Sequence, residues 1–236
     1  MRVILVLVSP LAVLILLNYG YLERLSLIGY DLLYDMRGSI QASDRIILVK
    51  QDEASTDFYN TRLSDWPRSH HARLVDKPAD AGADLVVFDY DFSRPTTAED
   101  DGAFARAITE AGNIILANRL LASGEILQPL DAFTENSLGE GFIDTNLDRD
   151  GAWRRMIYMN LTRDGYINFS LPMVTAEIYE DFPEDQRDLD NPDALGWGTH
   201  RLPYPDMLIN FTGADGNFSS LSYFQVLENQ YNADQV

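Results

Sequence analysis

The chain has 236 residues, room for one large domain or two small ones, and its 46% hydrophobic and 11% aromatic content marks a folded body rather than a disordered one. A formal net charge of −19 and a pI near 4.3 repel phosphate backbones, which excludes nucleic acid as a partner. The absence of cysteine excludes disulfides, thiolate metal sites and cysteine nucleophiles.

After Arg2, residues 3–17 (VILVLVSPLAVLILL) are uncharged and apolar apart from Ser9 and Pro10. Extended to Leu22, the stretch reaches the roughly 20 residues that span a bilayer as a helix. Arg2 places the start in the cytoplasm, and Tyr19 and Tyr21 fall at the outer interface. A cleaved signal peptide is the competing reading, but NYGYLERL after Leu17 offers no small-x-small site. Residues 1–22 are read as a membrane anchor and residues 23–236 as one domain outside the cytoplasmic membrane.

Residues 22–38 carry Leu22, Leu25, Leu32 and Leu33 at helical steps, ended by Gly38. Ile46 to Val49 reads as a strand that closes with Asp52 and Glu53. A polar loop leads through Asn60 to Trp66, Pro67 and Arg68. Ser69 is placed to cap a helix over His70 to Ala81. Pro78 inside it costs roughly 3 kcal/mol and predicts a kink or an early stop near Lys77. A strand at Leu85 to Phe88, a helix over Asp100 to Glu110 and a strand at Ile114 to Ala117 follow. Alternating strands and helices with continuous apolar runs predict an α/β fold, a mostly parallel central sheet with helices on both faces. Further on, Gly139 to Asn146 and Arg154 to Leu161 read as an antiparallel hairpin closed by LDRDG. Phe169 to Tyr179 reads as a helix, 180–193 as a solvated acidic loop, and Met207 to Phe211 as a strand.

Chemistry concentrates at DLVVFDYDFSR. Alternation along a strand puts Asp89 and Asp91 on one side, at the carboxyl end where open parallel sheets bind ligands. Asp52 and Glu53 end the expected neighbouring strand, and Arg68 and Arg94 are at hand to neutralise them. A charge-paired structural cluster and a ligand site both account for this. VVFDYDFS also resembles the nucleophile strand of haloacid-dehalogenase phosphatases, with Asp89 attacking, Asp91 as acid/base and Mg²⁺ offsetting charge. No lysine follows Lys77 to hold the phosphoryl group, however, and Ser93 replaces the usual Thr. NLDRDG at 146–151 opens like an EF-hand loop, yet its twelfth position is Ile157. The arginines after it, Arg154 and Arg155, are available to pair with the acidic strand ends. His70 and His71 point about 100° apart on a helix, which suits surface or capping roles better than one metal. Trp66 either lines an apolar pocket or sits in the core. No nucleophile elbow, P-loop or dinucleotide fingerprint is present. The reading names no catalytic residue, metal site or cofactor, and takes Asp52, Glu53, Trp66, Arg68, Asp89, Asp91 and Arg154 as candidates for ligand contact.

In order along the chain, LERLSLIGYDLLYDMRG, IILVKQDEAS, WPRSHHARL, AGADLVVFDYDFSRP, LGEGFIDTNLDRDGAWRR and LINFTG resemble the type-2 CHASE domain over residues 20 to about 225. That family is the extracytoplasmic sensor module of bacterial membrane receptors. The departure is VDKPAD at 75–80, where the family has an uninterrupted helix. The resemblance implies a non-catalytic domain of the inner membrane's outer side that senses a small molecule and forms homodimers through membrane helices. Family members continue into nucleotide cyclase, histidine kinase or Ser/Thr kinase outputs. A metal-dependent hydrolase using Asp89 and Asp91 and a structural envelope protein are the alternatives.

Overall fold

A computed structural model describes residues 21–62, 65–182, 187–188, 194–197, 200–203 and 206–231. The expected anchor falls on residues 1–22 and so lies almost wholly outside them. Among the described residues no helix is long and apolar enough to cross a membrane.

The first helix, α1 (Tyr21–Arg37), follows the predicted apolar steps and closes at Gly38, whose φ of 70° suits glycine. Strand β1 (Ile47–Lys50) lies one residue later than predicted. The polar stretch after it is not a loop. Asp52 caps a helix, α2 (Glu53–Tyr59), that Asn60 ends in the left-handed region. Helix α3 (Arg68–Asp80) begins two residues early and runs past Lys77. Pro78 falls in its last turn and the helix continues to Asp80, so the predicted stop at Lys77 does not occur. Strand β2 (Val86–Phe88) leads to α4 (Ala98–Ala111), capped by Thr97 and closed by Gly112. Strands β3 (Ile114–Leu120) and β4 (Ile126–Leu127), helix α5 (Asp131–Thr134) and strand β5 (Gly139–Phe142) follow. Beyond them lie β6 (Arg155–Ile157), β7 (Met159–Leu161), β8 (Ile167–Phe169) and α6 (Leu171–Tyr179). The chain continues through β9 (Arg187–Asp188), β10 (Ala194–Trp197), β11 (His200–Pro203), β12 (Asp206–Leu208), β13 (Ser219–Ser222) and α7 (Tyr223–Leu227).

The parallel core is β2–β3–β5, with Val86 opposite Ile114 and Ile115 opposite Gly139. Strand β1 pairs in parallel with β13, not with β2. The expected hydrogen-bonded pairing of the strand before Asp52 with the strand before Asp89 is therefore not made. Both strand sets nevertheless feed one core: Phe88, Ile114, Leu116 and Leu221 meet Leu74, Val75, Phe104 and Ile108 of α3 and α4. The other face of β3 packs Ile115 and Ala117 on Leu171 of α6. Helices thus cover both faces, as continuous apolar strands require.

The predicted hairpin across LDRDG is a correction. The turn exists, with Gly151 N donating to Asp148 O at 2.8 Å, but its flanks go elsewhere. Strand β5 joins the parallel sheet, and β6 pairs antiparallel with β12. The glycines decide this. A Cβ on Gly141 would stand 2.5 Å from Leu171 Cα, so only glycine lets the start of α6 lie on β5. Antiparallel pairs do occur at β3–β4, β7–β8 and β9–β10–β11.

Candidate functional site

Around the carboxyl ends of β1 and β13 the chain starts helices rather than opening a charged crevice. Asp52 uses both carboxylate oxygens. Oδ1 accepts from Ser55 N (3.0 Å) and Ser55 Oγ (2.7 Å), and Oδ2 accepts from Ser222 Oγ at 2.5 Å. Burial works to raise its pKa, and the Ser222 and Ser55 hydrogen bonds outweigh that and hold it below the usual carboxylate range. Phe224 N donates to Ser55 Oγ at 3.2 Å, so the starts of α2 and α7 are stitched together.

Trp66 is a core residue. Its Nε1 donates to Thr61 O at 3.2 Å, and its ring meets Tyr223 edge-on at 4.9 Å. Arg68 is also buried, its Nη2 donating to Arg94 O at 2.8 Å and its guanidinium lying 4.6 Å above the Phe92 ring. Its Nε stands 3.5 Å from Asp101 Oδ1, an ion pair without hydrogen-bond geometry. Burial pushes the Arg68 pKa down, opposed by Asp101.

His71, expected at the surface, lies instead among Phe88, Tyr90, Phe92 and Phe104, with Nδ1 2.7 Å from the Tyr223 hydroxyl. Burial, reinforced by Arg68 and His70, lowers its pKa to about 3, so it is neutral and accepts at Nδ1 when Tyr223 donates. His70 is partly buried, its ring tilted against that of Tyr59 at 4.8 Å.

Glu53, Asp89 and Asp91 are exposed. Strand β2 ends at Phe88, so the two aspartates belong to the following loop. Asp91 Oδ1 accepts from Ser93 N at 2.9 Å. Burial raises the Asp91 pKa, and the Ser93 bonds with Arg119 and Arg94 nearby bring it below normal. The phosphatase reading finds no support. Among the described residues no three His, Asp or Glu side chains gather to hold a metal ion.

The densest polar cluster lies elsewhere. Arg154, expected to pair with the strand ends, is buried against three other carboxylates. Nε and Nη2 form a fork on Asp31 of α1, both at 2.7 Å. Nη1 reaches Asp148 at 3.0 Å and Asp150 at 2.9 Å, and Nη2 reaches Asp150 at 2.8 Å. The hydrogen bonds to Asp31 and Asp150 raise the arginine's pKa, and Arg154 lowers that of Asp150 to about 2. Asp31 is lowered by the same hydrogen bond. The acidic turn that opens like a calcium loop therefore holds a guanidinium. Arg155 bonds Asp206 at 2.9 Å and fixes β6 to β12.

The rest of α1 is fastened by the segment after β12. The hydroxyls of Tyr30 and Tyr34 donate to Ile209 O at 2.9 and 2.6 Å. Arg37 donates from Nη1 to Asn210 Oδ1 at 2.6 Å and from Nη2 to Phe211 O. Ile40 N donates to Thr212 O at 2.7 Å. Sequence reasoning assigned no role to Tyr30, Asp31, Tyr34 and Arg37. Their spacing of one, three and three residues, which sets polar groups on one side of a helix, was the available signal.

Three of the six stretches that carried the resemblance, those at α1, at NLDRDGAWRR and at LINFTG, thus converge on one helix. The CHASE2 domain family model matches residues 4–236. The chain belongs to the CHASE2 domain family. CHASE2 domains are extracytoplasmic sensor modules, and the motifs scattered through the sequence are in part the parts of one helix-docking site. Neither a curated protein nor a solved structure matches this CHASE2 chain.

Proposed function

We propose that this CHASE2 chain is the ligand-sensing region of a bacterial inner-membrane receptor, with residues 1–22 as anchor and 23–236 as an extracytoplasmic, non-catalytic domain. Its outputs are of the nucleotide cyclase, histidine kinase or Ser/Thr kinase kind found in the family. The observation that carries the reading is the fastening of α1, which follows directly on the apolar segment. One buried arginine and a run of loop carbonyls tie that helix to the body, so a change in the body's packing reaches the helix that enters the membrane. A small molecule near Asp89 and Asp91, exposed just past the carboxyl end of β2, acts by favouring one of two such packings.

The test uses the full chain in lipid nanodiscs. A metabolite library is screened by thermal shift, since a ligand of the folded state raises its melting temperature. Hits are then followed by amide exchange over 21–37. The reading expects a stabilising compound to change α1 protection, and Arg154→Gln to speed α1 exchange about tenfold or more with the sheet unaffected. A hit that protects the body while α1 exchanges identically in its presence and absence overturns the coupling. A library without any hit overturns small-molecule sensing.

A further inference from the structure

We propose that the hollow between β1 and the segment 209–218 binds a small organic carboxylate, and that its occupancy braces α1. Alternation along β1 turns Ile47 and Val49 toward the core and leaves Leu48 and Lys50 on the opposite face. The chain between β12 and β13 runs past that face and bounds with it a hollow of about 270 Å³. Leu48, Ile209, Phe211 and Phe218 line it, together with Lys50 and Asp215. The same segment is pinned to α1 and to the connection after it. Phe211 meets the Tyr34 ring edge-on at 6.2 Å, and Asn217 Nδ2 donates to Ile40 O at 2.9 Å. Gly213 lies so close to the connection that an added Cβ would stand 2.9 Å from Ser39 Cβ.

Size and charge together name the class of ligand. A cavity of about 150 Å³ accepts a benzene ring, so this hollow holds one ring with a short acidic arm. The apolar walls take the ring, which gains by leaving water. Lys50 takes the acid. It is one of two lysines in a chain of net charge −19, a local exception in a field that turns anions away. Its partner is Asp215, 3.4 Å away, whose side chain is 96% exposed. So open a pair contributes little, and Asp215 stays hydrated when it lets go. A carboxylate that also brings apolar contact therefore displaces it. The path to the helix is short. Ile209 O accepts from Tyr30 and Tyr34, and Phe211 O from Arg37. A ligand packed on Ile209 and Phe211 holds both carbonyls in place and so favours the docked α1. The inference rests on the coupling through α1 proposed above, adds a second site, and makes no use of Asp89 and Asp91.

The probe is para-fluorobenzoate, with the uncharged para-fluorobenzamide as control. Each is titrated into the full chain in lipid nanodiscs and read by fluorine NMR against empty discs. The acid is expected to bind about tenfold or more tightly than the amide, and Lys50→Met to remove that advantage. Asp215→Asn, which takes away the competing carboxylate, is expected to tighten the acid about two- to fivefold. Leu48→Trp fills the hollow and is expected to abolish binding, while all three variants melt with the parent. With acid at ten times its Kd, exchange across 21–37 is expected to slow by up to about tenfold. Equal affinity for acid and amide overturns the proposal, as does acid binding that Lys50→Met or Leu48→Trp leaves unchanged. Weaker binding by Asp215→Asn overturns it too, since an ion pair that merely supports the fold loses by either substitution. Exchange of α1 unaltered by saturating acid overturns the brace. An acid that does not bind, beside a compound of another class that stabilises parent and Lys50→Met alike, sinks this site and leaves the sensor reading standing.

Discussion

Asp52 looks, from its sequence position, like a carboxylate waiting for a ligand, and the structure makes it a rivet between two helix starts. Replacing it with alanine removes the α2 cap, worth about 0.5–2 kcal/mol. It also removes the charge-assisted bond to Ser222, worth about 1.5–3 kcal/mol. Because both act through one side chain and overlap, the expected loss is about 2–4 kcal/mol rather than the full sum. Asparagine caps helices as well as aspartate does and can still bond Ser222, so Asp52→Asn is expected to cost under about 1 kcal/mol. Ser222→Ala leaves the α2 cap intact but removes both the bond to Asp52 and the hydroxyl of the α7 N-cap, so it is expected to cost about 1.5–3 kcal/mol. Urea unfolding followed by circular dichroism on the three variants reads all of this from the midpoints. If Asp52→Ala unfolds within about 0.5 kcal/mol of the parent, the carboxylate is not structural and the argument fails. An Asp52→Asn variant as unstable as Asp52→Ala would refute the cap just as firmly.

Gly141→Ala is expected to destabilise by about 1–3 kcal/mol or more, because its methyl group meets the Leu171 backbone, which cannot yield. Gly139→Ala, whose methyl group meets only the side-chain ends of Val174 and Ile178 at 3.1 and 3.2 Å, should cost less in the same urea titration. His71 gives a pH signature. Its folded pKa of about 3 lies below the ordinary 6.5, so between those values the unfolded chain binds a proton that the folded chain refuses. Stability from this group is full above pH 6.5 and is lost as pH falls toward 3, at no more than about 1.4 kcal/mol per pH unit. The difference in pH slope between the parent and His71→Phe isolates the group from the carboxylates. A His71 imidazole resonance, assigned by its loss in His71→Phe, that titrates near pH 6.5 would contradict its burial.

The elements that were legible in the sequence owe it to apolar patterning. The predicted α1 matches because its leucines recur at helical steps, and β3 because Ile114 to Ala117 is a continuous apolar run. The site was misread because identity and spacing do not say what a polar side chain bonds. Asp52 and Glu53 sit side by side after β1, yet one is locked into a cap by Ser55 and tied to Ser222 some 170 residues away, while the other is exposed. The pairing of β1 with β13 is invisible for the same reason, since SSLS carries little strand signal of its own. His71 fell to a local argument about neighbouring histidines, when five aromatic rings from other segments enclose it. The LDRDG hairpin was the soundest local inference, and it lost to two glycines in GEG that let α6 close on β5.

The contrast between the two polar clusters bears on how signals could travel. Around Arg68, Trp66 and His71 nearly every group is buried, so rearrangement there breaks the core that holds both strand sets together. At Arg154 the guanidinium is buried, but Asp31 and Asp150 keep about half and about two-fifths of their side-chain surface in water. When the fork on Asp31 opens, that carboxylate is hydrated at once, and Arg154 keeps Asp148 and Asp150 as partners. Neither half is left as a stranded buried charge, the situation that makes broken buried pairs so costly. The α1 docking therefore opens at lower cost than the core while the sheet stays whole, which is the condition the proposed ligand-driven change of packing requires.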